Sequence, residues 1–566
     1  MKPDYPTIQA DILIIGGGSA GAMAAIRAKE VHPGQRVVVF EKGDIKYSGS
    51  IARGMDALNI VAVPGVSTPE LYVEATRMAC QGVVDEPLSY CLAARSWGLL
   101  KKLESWGVCF PLDDKGQYEI LQVHPKGKFC VTMKEPELKV ILARRLKELG
   151  VQVFNRTMAV ELLKNGDAVC GAIGLNVRTG EGIVCAAKAV ILAAGGTARF
   201  GLPNNGHLYG VYDFPGNTGD GYCLAYRAGA ELSGFEYTMF TCIVKDINAP
   251  LLYITLTRGA HLLDAFGGHL EGGHVSIGSM FEAYREGRGP LRIRMDHLPE
   301  ERIRAIEAIL FTTERPAQQR FYQGRGVDFR SGEIELWPTE CFLCGGHGLT
   351  GVRINEKAET SVAGLYAAGD AALVARGHLS GAFVFGEIAA ENASEYAEAL
   401  RAAEPHANQI QAFLRRMQKM GSQSANPVPI EEFEYKVRRI INDYVVPPKN
   451  EYKLDRALWW MERFRRELAD LARVEDAHDL FKALEVENII QCATLSALAS
   501  KERKESRWGI WHSRADYPRT NDKDWLKHIV LTRGEDPAEV RISHREIVRL
   551  RSLAGPKEQR HVDQPS

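Results

Sequence analysis

The chain has 566 residues, 45% of them apolar and 25% charged, a globular composition too long for one core, since cores stop growing at roughly 250 to 300 residues. Two or three domains are therefore expected. Lys and Arg number 70 against 71 Asp and Glu, a net charge of −1, which disfavours nucleic acid as a partner and leaves any anionic substrate to local arginines.

No run of about 18 uncharged apolar residues occurs, the N-terminus lacks the order of a signal peptide, and the 11 cysteines are scattered and odd in number. These features predict reduced thiols, no membrane span and a cytoplasmic chain.

In chain order, Asp11-Ile-Leu-Ile-Ile15 reads as a buried parallel strand, Gly16-Gly-Gly-Ser19-Ala20-Gly21 as a turn into a helix over 22–29, and Arg36-Val-Val-Val-Phe-Glu41 as the next strand. Helices are predicted over 92–106 and 136–149; in the second, Leu138, Ile141, Leu142, Leu146 and Leu149 share a face and Gly150 stops it. A strand begins at Val151, another covers 189–193 and runs into Ala194-Gly195-Gly196, and a fourth around Leu365 ends in Gly369-Asp370 before a helix over 382–400. Residues 245–335 have Gly-rich turns and no βαβ rhythm, and 430–505 have aromatic and charged residues at helical spacing.

The expected fold is α/β: a Rossmann-type domain in two parts (1–245 and 336–405), an inserted α+β capping domain (246–335), a C-terminal helical domain (430–530) and a polar arm (531–566). Gly16, Gly18 and Gly21 match GxGxxG, and Glu41 ends the second strand. Glycines of this spacing let backbone approach a pyrophosphate at a helix N-terminus, and the acid accepts hydrogen bonds from ribose hydroxyls. Ser19, Ala20 and Lys42 belong to the same contact set. Strand, turn, helix, strand and acid occur in order, which points to a dinucleotide; Ala194, Gly195 and Gly196 with Gly369 and Asp370 point to FAD.

On these residues the sequence resembles the flavoprotein subunits of the fumarate reductase, succinate dehydrogenase and adenylylsulfate reductase superfamily, over roughly 8–400 and 500–530. Ser48-Gly49-Ser50-Ile-Ala-Arg-Gly54 is similar to the family loop that packs on the flavin ring. Gly49 stands where membrane succinate dehydrogenases attach flavin to histidine, so the resemblance implies non-covalent FAD. Pro215-Gly-Asn-Thr218-Gly-Asp220-Gly221 resembles the family's TGDG turn, and Ser380 and Ala382 complete the implied cofactor contacts.

Glu286-Gly-Arg-Gly-Pro290, Trp337 to His347 and Arg376-Gly-His-Leu-Ser-Gly381 look closer to the adenylylsulfate reductase alpha subunit. His347 falls where that family has a histidine beside the flavin and is the first candidate for substrate contact or proton transfer. Arg258, in Ile254-Thr-Leu-Thr-Arg258-Gly259, is the second, as general acid or anion anchor. Ile243 and Pro215-Gly216 depart from the adenylylsulfate enzymes; Cys341 and Leu379 depart from the dicarboxylate enzymes, whose substrates need paired cations. Glu505-Ser-Arg507 and His512-x-Arg514 resemble the segment that closes the helical domain, with both arginines as further pocket candidates.

The resemblance implies electron transfer between a small anionic substrate, sulfur compounds among the candidates, and a ferredoxin-like iron–sulfur subunit. No cluster or metal ligands are expected on this chain, whose one CxxC is Cys341 and Cys344. A dicarboxylate oxidoreductase and a flavin relay without substrate chemistry are the alternatives.

Overall fold

The computed structural model describes residues 5–203, 213–245, 247, 249, 251–270, 277–314, 317–401, 404–420, 425–536 and 539–550. The apolar runs Ile12–Ile15 and Val37–Phe40 make β1 (Thr7–Ile15) and β2 (Val37–Glu41) strands whose sheet-centre residues are buried on both faces, as parallel strands covered by helices must be. They are followed by β3 (Gln152–Asn155), β4 (Thr157–Asn165), β5 (Ala168–Asn176), β6 (Gly182–Leu192) and β7 (Leu365–Ala367). The order across this seven-stranded sheet is β3-β2-β1-β6-β5-β4, with β7 beside the end of β6. β5 is antiparallel to β4 and β6; the pairs joining β1, β2, β3, β6 and β7 are parallel. The register sets Ile15 against Phe40 and Leu192, and Ala367 against Leu192. The carboxyl ends of β1, β2, β6 and β7 therefore open at one edge, the usual ligand position in open α/β sheets.

The helices that position this edge are α1 (Ser19–Val31), α2 (Leu138–Glu148), α3 (Asp220–Ala228), α4 (His378–Glu398), α5 (Ile430–Ile440), α6 (Glu451–Leu471) and α7 (Ala477–Glu502). α1 packs on α4, and small residues permit the approach: a Cβ on Gly386 would lie 2.5 Å from the Ala20 carbonyl oxygen. α4 starts four residues before the expected helix, so His378 and Leu379 belong to its first turn.

Between the two parts of the sheet lies an antiparallel sheet of Cys242–Val244, Glu333–Pro338, Leu291–Arg294 and His261–Leu263. It has its own apolar core, including Ile254, Leu291, Ile293, Ile306 and Phe329. Where the sequence suggests a polar arm from 531, Lys527–Arg533 and Val540–Glu546 form an antiparallel hairpin that joins Leu232–Ser233. The polarity misleads there because the outer strand is almost wholly exposed. Residues 551–566 of the expected arm lie outside the described residues. No described helix is long and apolar enough to cross a membrane.

Buried ion pairs fasten the helices to the sheet. Glu485 of α7 is fully buried and meets Lys42 and Arg199 at 2.9 Å each and Lys482 at 3.1 Å, while Arg199 also reaches Glu434 of α5 at 2.7 Å. Burial alone would raise the Glu485 pKa, but the three cations hold it at about 2, below the ordinary 4.5. A depressed carboxylate stabilises the fold fully above its unfolded pKa and loses that contribution as pH falls toward the folded value. Glu485→Gln should therefore cost roughly 3 to 5 kcal/mol in urea unfolding at neutral pH. The gap to wild type should close as pH drops from 4.5 toward about 2; equal stabilities at neutral pH would contradict the assignment.

Candidate functional site

The cleft at the strand ends encloses about 1020 Å³ of empty space, part of it open to solvent. Its floor is the turn after β1. Gly16 has φ +99°, and a Cβ there would sit 2.4 Å from the Ala193 carbonyl oxygen; one on Gly21 would sit 1.8 Å from that of Gly16. Those two glycines let β1, β6 and α1 meet. Gly18 differs: a Cβ there would meet nothing within 4 Å, and the residue lines the cleft. The missing side chain leaves a cradle at the N-terminus of a 13-residue helix, the place where backbone N–H groups receive phosphate.

Glu41 closes one end of the cradle. Its carboxylate accepts from the backbone N–H of Gly17 at 2.7 Å and of Gly43 at 2.6 Å, which fixes its orientation and leaves lone pairs for hydroxyl donors. Lys139 of α2 is buried behind the turn and donates to the Gly17 carbonyl oxygen; burial pulls its pKa down to about 8, against Glu41 and Asp44. Its sequence signal is weak, a lysine beside Leu138 and three before Leu142 on the apolar stripe.

Gly16, Gly18, Ser19, Ala20, Glu41, Lys42, Gly49, Ser50, Ala194, Gly195, Asp220, His347, Gly369, Asp370 and Ala382 all line this cleft. The Lys42 ammonium is already engaged by the Gly216 carbonyl (2.8 Å), the Thr218 hydroxyl (3.2 Å), Asp220 (2.8 Å) and Glu485 (2.9 Å).

Several predicted contacts stand behind the wall instead. Ser48 donates to the Asp44 carbonyl at 2.8 Å, Thr218 donates to Asp220 at 2.7 Å, and Ser380 accepts from the Ile60 N–H at 3.0 Å. Gly54 ends the short helical turn Ser50–Arg53 with φ +101°, and a Cβ on Gly196 would lie 2.3 Å from the Leu343 carbonyl oxygen. These residues and Gly21 shape the loops rather than face the space.

Arg258 does not reach the cleft. It follows a short helix of the antiparallel-sheet region, donates to the Ile254 carbonyl at 3.0 Å and pairs with Glu119 at 3.6 Å, so its charge is answered across the region's border. Ile243 is fully buried and paired with Trp337 within the antiparallel sheet, away from the lining. Arg507 and Arg514 lie in a buried ion network: Arg507 meets Glu505 at 2.7 Å and Arg514 meets Asp516 at 2.7 Å, while neighbouring Arg503 reaches Glu236 at 2.9 Å. Neither lines the cleft, because both charges are engaged in fastening the C-terminal segment.

The lining also includes residues not named as cofactor contacts from the sequence: Met55, Thr157, Met158, Asp213, Phe214, Asn217, His378 and Leu379. His378 meets His347 with 3.2 Å between their Nδ1 atoms. Burial and then Asp213 raise the Asp370 pKa to about 6. Asp213, Cys344 and Asp370 have oxygen and sulfur atoms within 4.8 Å of one another. Burial lifts the Cys344 thiol well above its usual range and Cys341 to about 12, and both CxxC sulfurs are buried.

Among family models, one described as an FAD binding domain matches residues 11–384, and one described as fumarate reductase flavoprotein C-term matches 434–561. An uncharacterized FAD-dependent oxidoreductase of Methanocaldococcus jannaschii is 26% identical, over 93% of this chain and 96% of its own. A subunit of the CoM/CoB fumarate reductase of Methanothermobacter marburgensis is 27% identical, over 94% and 98%. The adenylylsulfate reductase structure from Archaeoglobus fulgidus superposes with a TM-score of 0.87 at 23% identity, covering 96% of this chain and 97% of that one. The first model alone spans more than half of the sequence, so the chain belongs to the FAD-dependent oxidoreductases of the fumarate reductase, succinate dehydrogenase and adenylylsulfate reductase flavoprotein family.

Proposed function

We propose that this chain is the flavoprotein subunit of an oxidoreductase that moves electrons between a small anionic substrate, with sulfur compounds the first candidates, and a ferredoxin-like iron–sulfur partner. The reading is carried by one observation: the phosphate cradle at Gly18, the carboxylate of Glu41, the Ala194-Gly195 strand end, Asp370 and His347 all open on one continuous cleft. FAD, when bound, supplies the hydride and electron chemistry, and the chain supplies orientation and proton handling. Gly16, Gly18, Ser19 and Ala20 hold the pyrophosphate, and Glu41 holds the adenosine ribose. Gly195, Gly369 and Asp370 hold the ribityl side, with Gly49, Ser50 and Ala382 near the ring. The loop at Gly49 has no histidine for attachment, so the flavin is held without a covalent bond. His347 is the residue that holds or moves a proton beside the ring, where an imidazole does so near neutral pH at little cost.

The adenylylsulfate branch is favoured by the Trp337 to His347 and Arg376 to Gly381 stretches. The dicarboxylate reading has one specific support, the fumarate reductase relative similar over nearly the whole chain, and lacks a second clamping cation at Leu379. The iron–sulfur partner follows from the family resemblance.

Two measurements test the reading. Gly18→Val should leave circular dichroism and the unfolding midpoint near wild type, because the new side chain enters empty space. It should weaken FAD binding by tenfold or more, ~1.4 kcal/mol or above; unchanged FAD affinity would remove the cradle. In the second, the anaerobic holoprotein is titrated with sulfite plus AMP, other sulfur compounds, succinate and related acids while the flavin band is followed. Bleaching by sulfite with AMP supports the leading reading, bleaching by succinate alone the dicarboxylate one. Full turnover of the isolated chain with NAD(P)H and no co-purifying iron–sulfur protein would defeat both.

A further inference from the structure

Two loops meet on the wall of the cleft. Arg376 and His378 both hold left-handed backbone, φ +52° and +48°, a conformation that strains a non-glycine residue and persists only where the surroundings impose it. The surroundings are visible: the Arg376 N–H donates to the Gly348 carbonyl at 3.1 Å and the His378 N–H to the Gly346 carbonyl at 3.0 Å. These bonds fasten residues 376–378 onto 346–348. The rings of His347 and His378 end 4.9 Å apart between centroids, at 74°, with the two Nδ1 atoms 3.2 Å apart.

A hydrogen bond between two imidazole nitrogens needs one hydrogen: one Nδ1 donates and the other accepts. The two neutral rings must then be opposite tautomers. The donor ring keeps an unprotonated Nε2, and the acceptor ring carries its hydrogen on Nε2. Protonating both rings would set two N–H groups head to head and place two cations beside Arg376.

His378 is faced by Arg376 from its own turn, by His347 from the glycine loop and by His124, whose ring centroid is 6.4 Å away. Burial and these three groups hold its imidazole well below the usual range. Burial also takes His124 down to about 4, with its Nε2 3.3 Å from the Asn59 carbonyl. Asp370 lies within electrostatic reach of His347, and the His347 backbone N–H donates to Cys344 Sγ at 3.1 Å. Behind Arg376 stand Tyr72, Tyr237 and Cys80. The carboxylate in this shell is on the His347 side, and the added cation is on the His378 side.

We propose that His378 is a positioning residue for His347: through the Nδ1–Nδ1 bond it fixes one tautomer, so that the pair holds a single shared proton and presents one acid and one base at its Nε2 atoms. The inference rests on the proposed role of His347 beside the flavin. In ¹⁵N-histidine-labelled holoprotein, long-range ¹H–¹⁵N spectra over about pH 6 to 8, assigned with His347→Asn and His378→Asn, should give one ring protonated at Nδ1 and the other at Nε2. The pH at which the flavin midpoint potential changes slope gives a second readout. His378→Asn keeps a hydrogen-bonding atom at the Nδ1 position and should stay near wild type, whereas His378→Leu should move that pH by roughly half a unit or more. Two like tautomers, a Leu variant identical to wild type, or Asn and Leu variants displaced equally would overturn the proposal. Bound FAD is counted separately: a chain that takes up none defeats the cofactor assignment, while the spectra of the same chain still decide the pair.

Discussion

Parallel pairing around β1 is the constraint on which the rest of this molecule depends. Because Ile15, Phe40, Leu192 and Ala367 lie level across adjacent strands, four chain segments that are far apart in sequence release their loops at one edge. A parallel sheet has its strands' hydrogen bonds satisfied internally and both faces covered, so the free space and the unpaired backbone N–H groups collect at the strand ends. Gly16 and Gly21 then do steric work, and Gly18 leaves room. Shifting β6 by one residue would carry Ala193 away from Gly16 and dismantle the floor.

Much of this edge is legible in the sequence. The apolar runs Ile12–Ile15, Val37–Phe40 and Ala189–Leu192 are unbroken, and the glycine spacing has one simple explanation, so the strand, the turn and Glu41 follow from local pattern. The glycines also mark their own limits: Gly18 faces the cleft, while Gly54 and Gly196 serve loop geometry, a difference that depends on which atoms lie opposite. Ser380 reads like a ligand contact and instead accepts a backbone N–H from Ile60. Asp213, Met158, Lys139 and His378 carry little local signal for a place at this site, because each owes its position to a neighbour more than a hundred residues away or to a turn whose backbone no short pattern predicts.

Charge is the second organising element. Arg258, Arg507 and Arg514 look like substrate cations when read one at a time, yet each is answered by carboxylate or carbonyl oxygens nearby. Glu485, Lys42 and Arg199 show the same pattern, since the lysine beside the cofactor loop also fastens α7 to the sheet. Arg376 is different in kind: tyrosines, histidines and a thiol surround it, and it lies next to the two imidazoles of the cleft. Leu379 and the His347–His378 pair line this same wall.

The most direct test of the central claim is a crystal structure of the chain reconstituted with FAD. The predicted result is the pyrophosphate over Gly16 to Gly18, a ribose hydroxyl on Glu41, no covalent link at Gly49 and the flavin ring against the wall formed by His347 and His378. FAD bound away from the β1 turn, or a ring that leaves both histidines without contact, would contradict it.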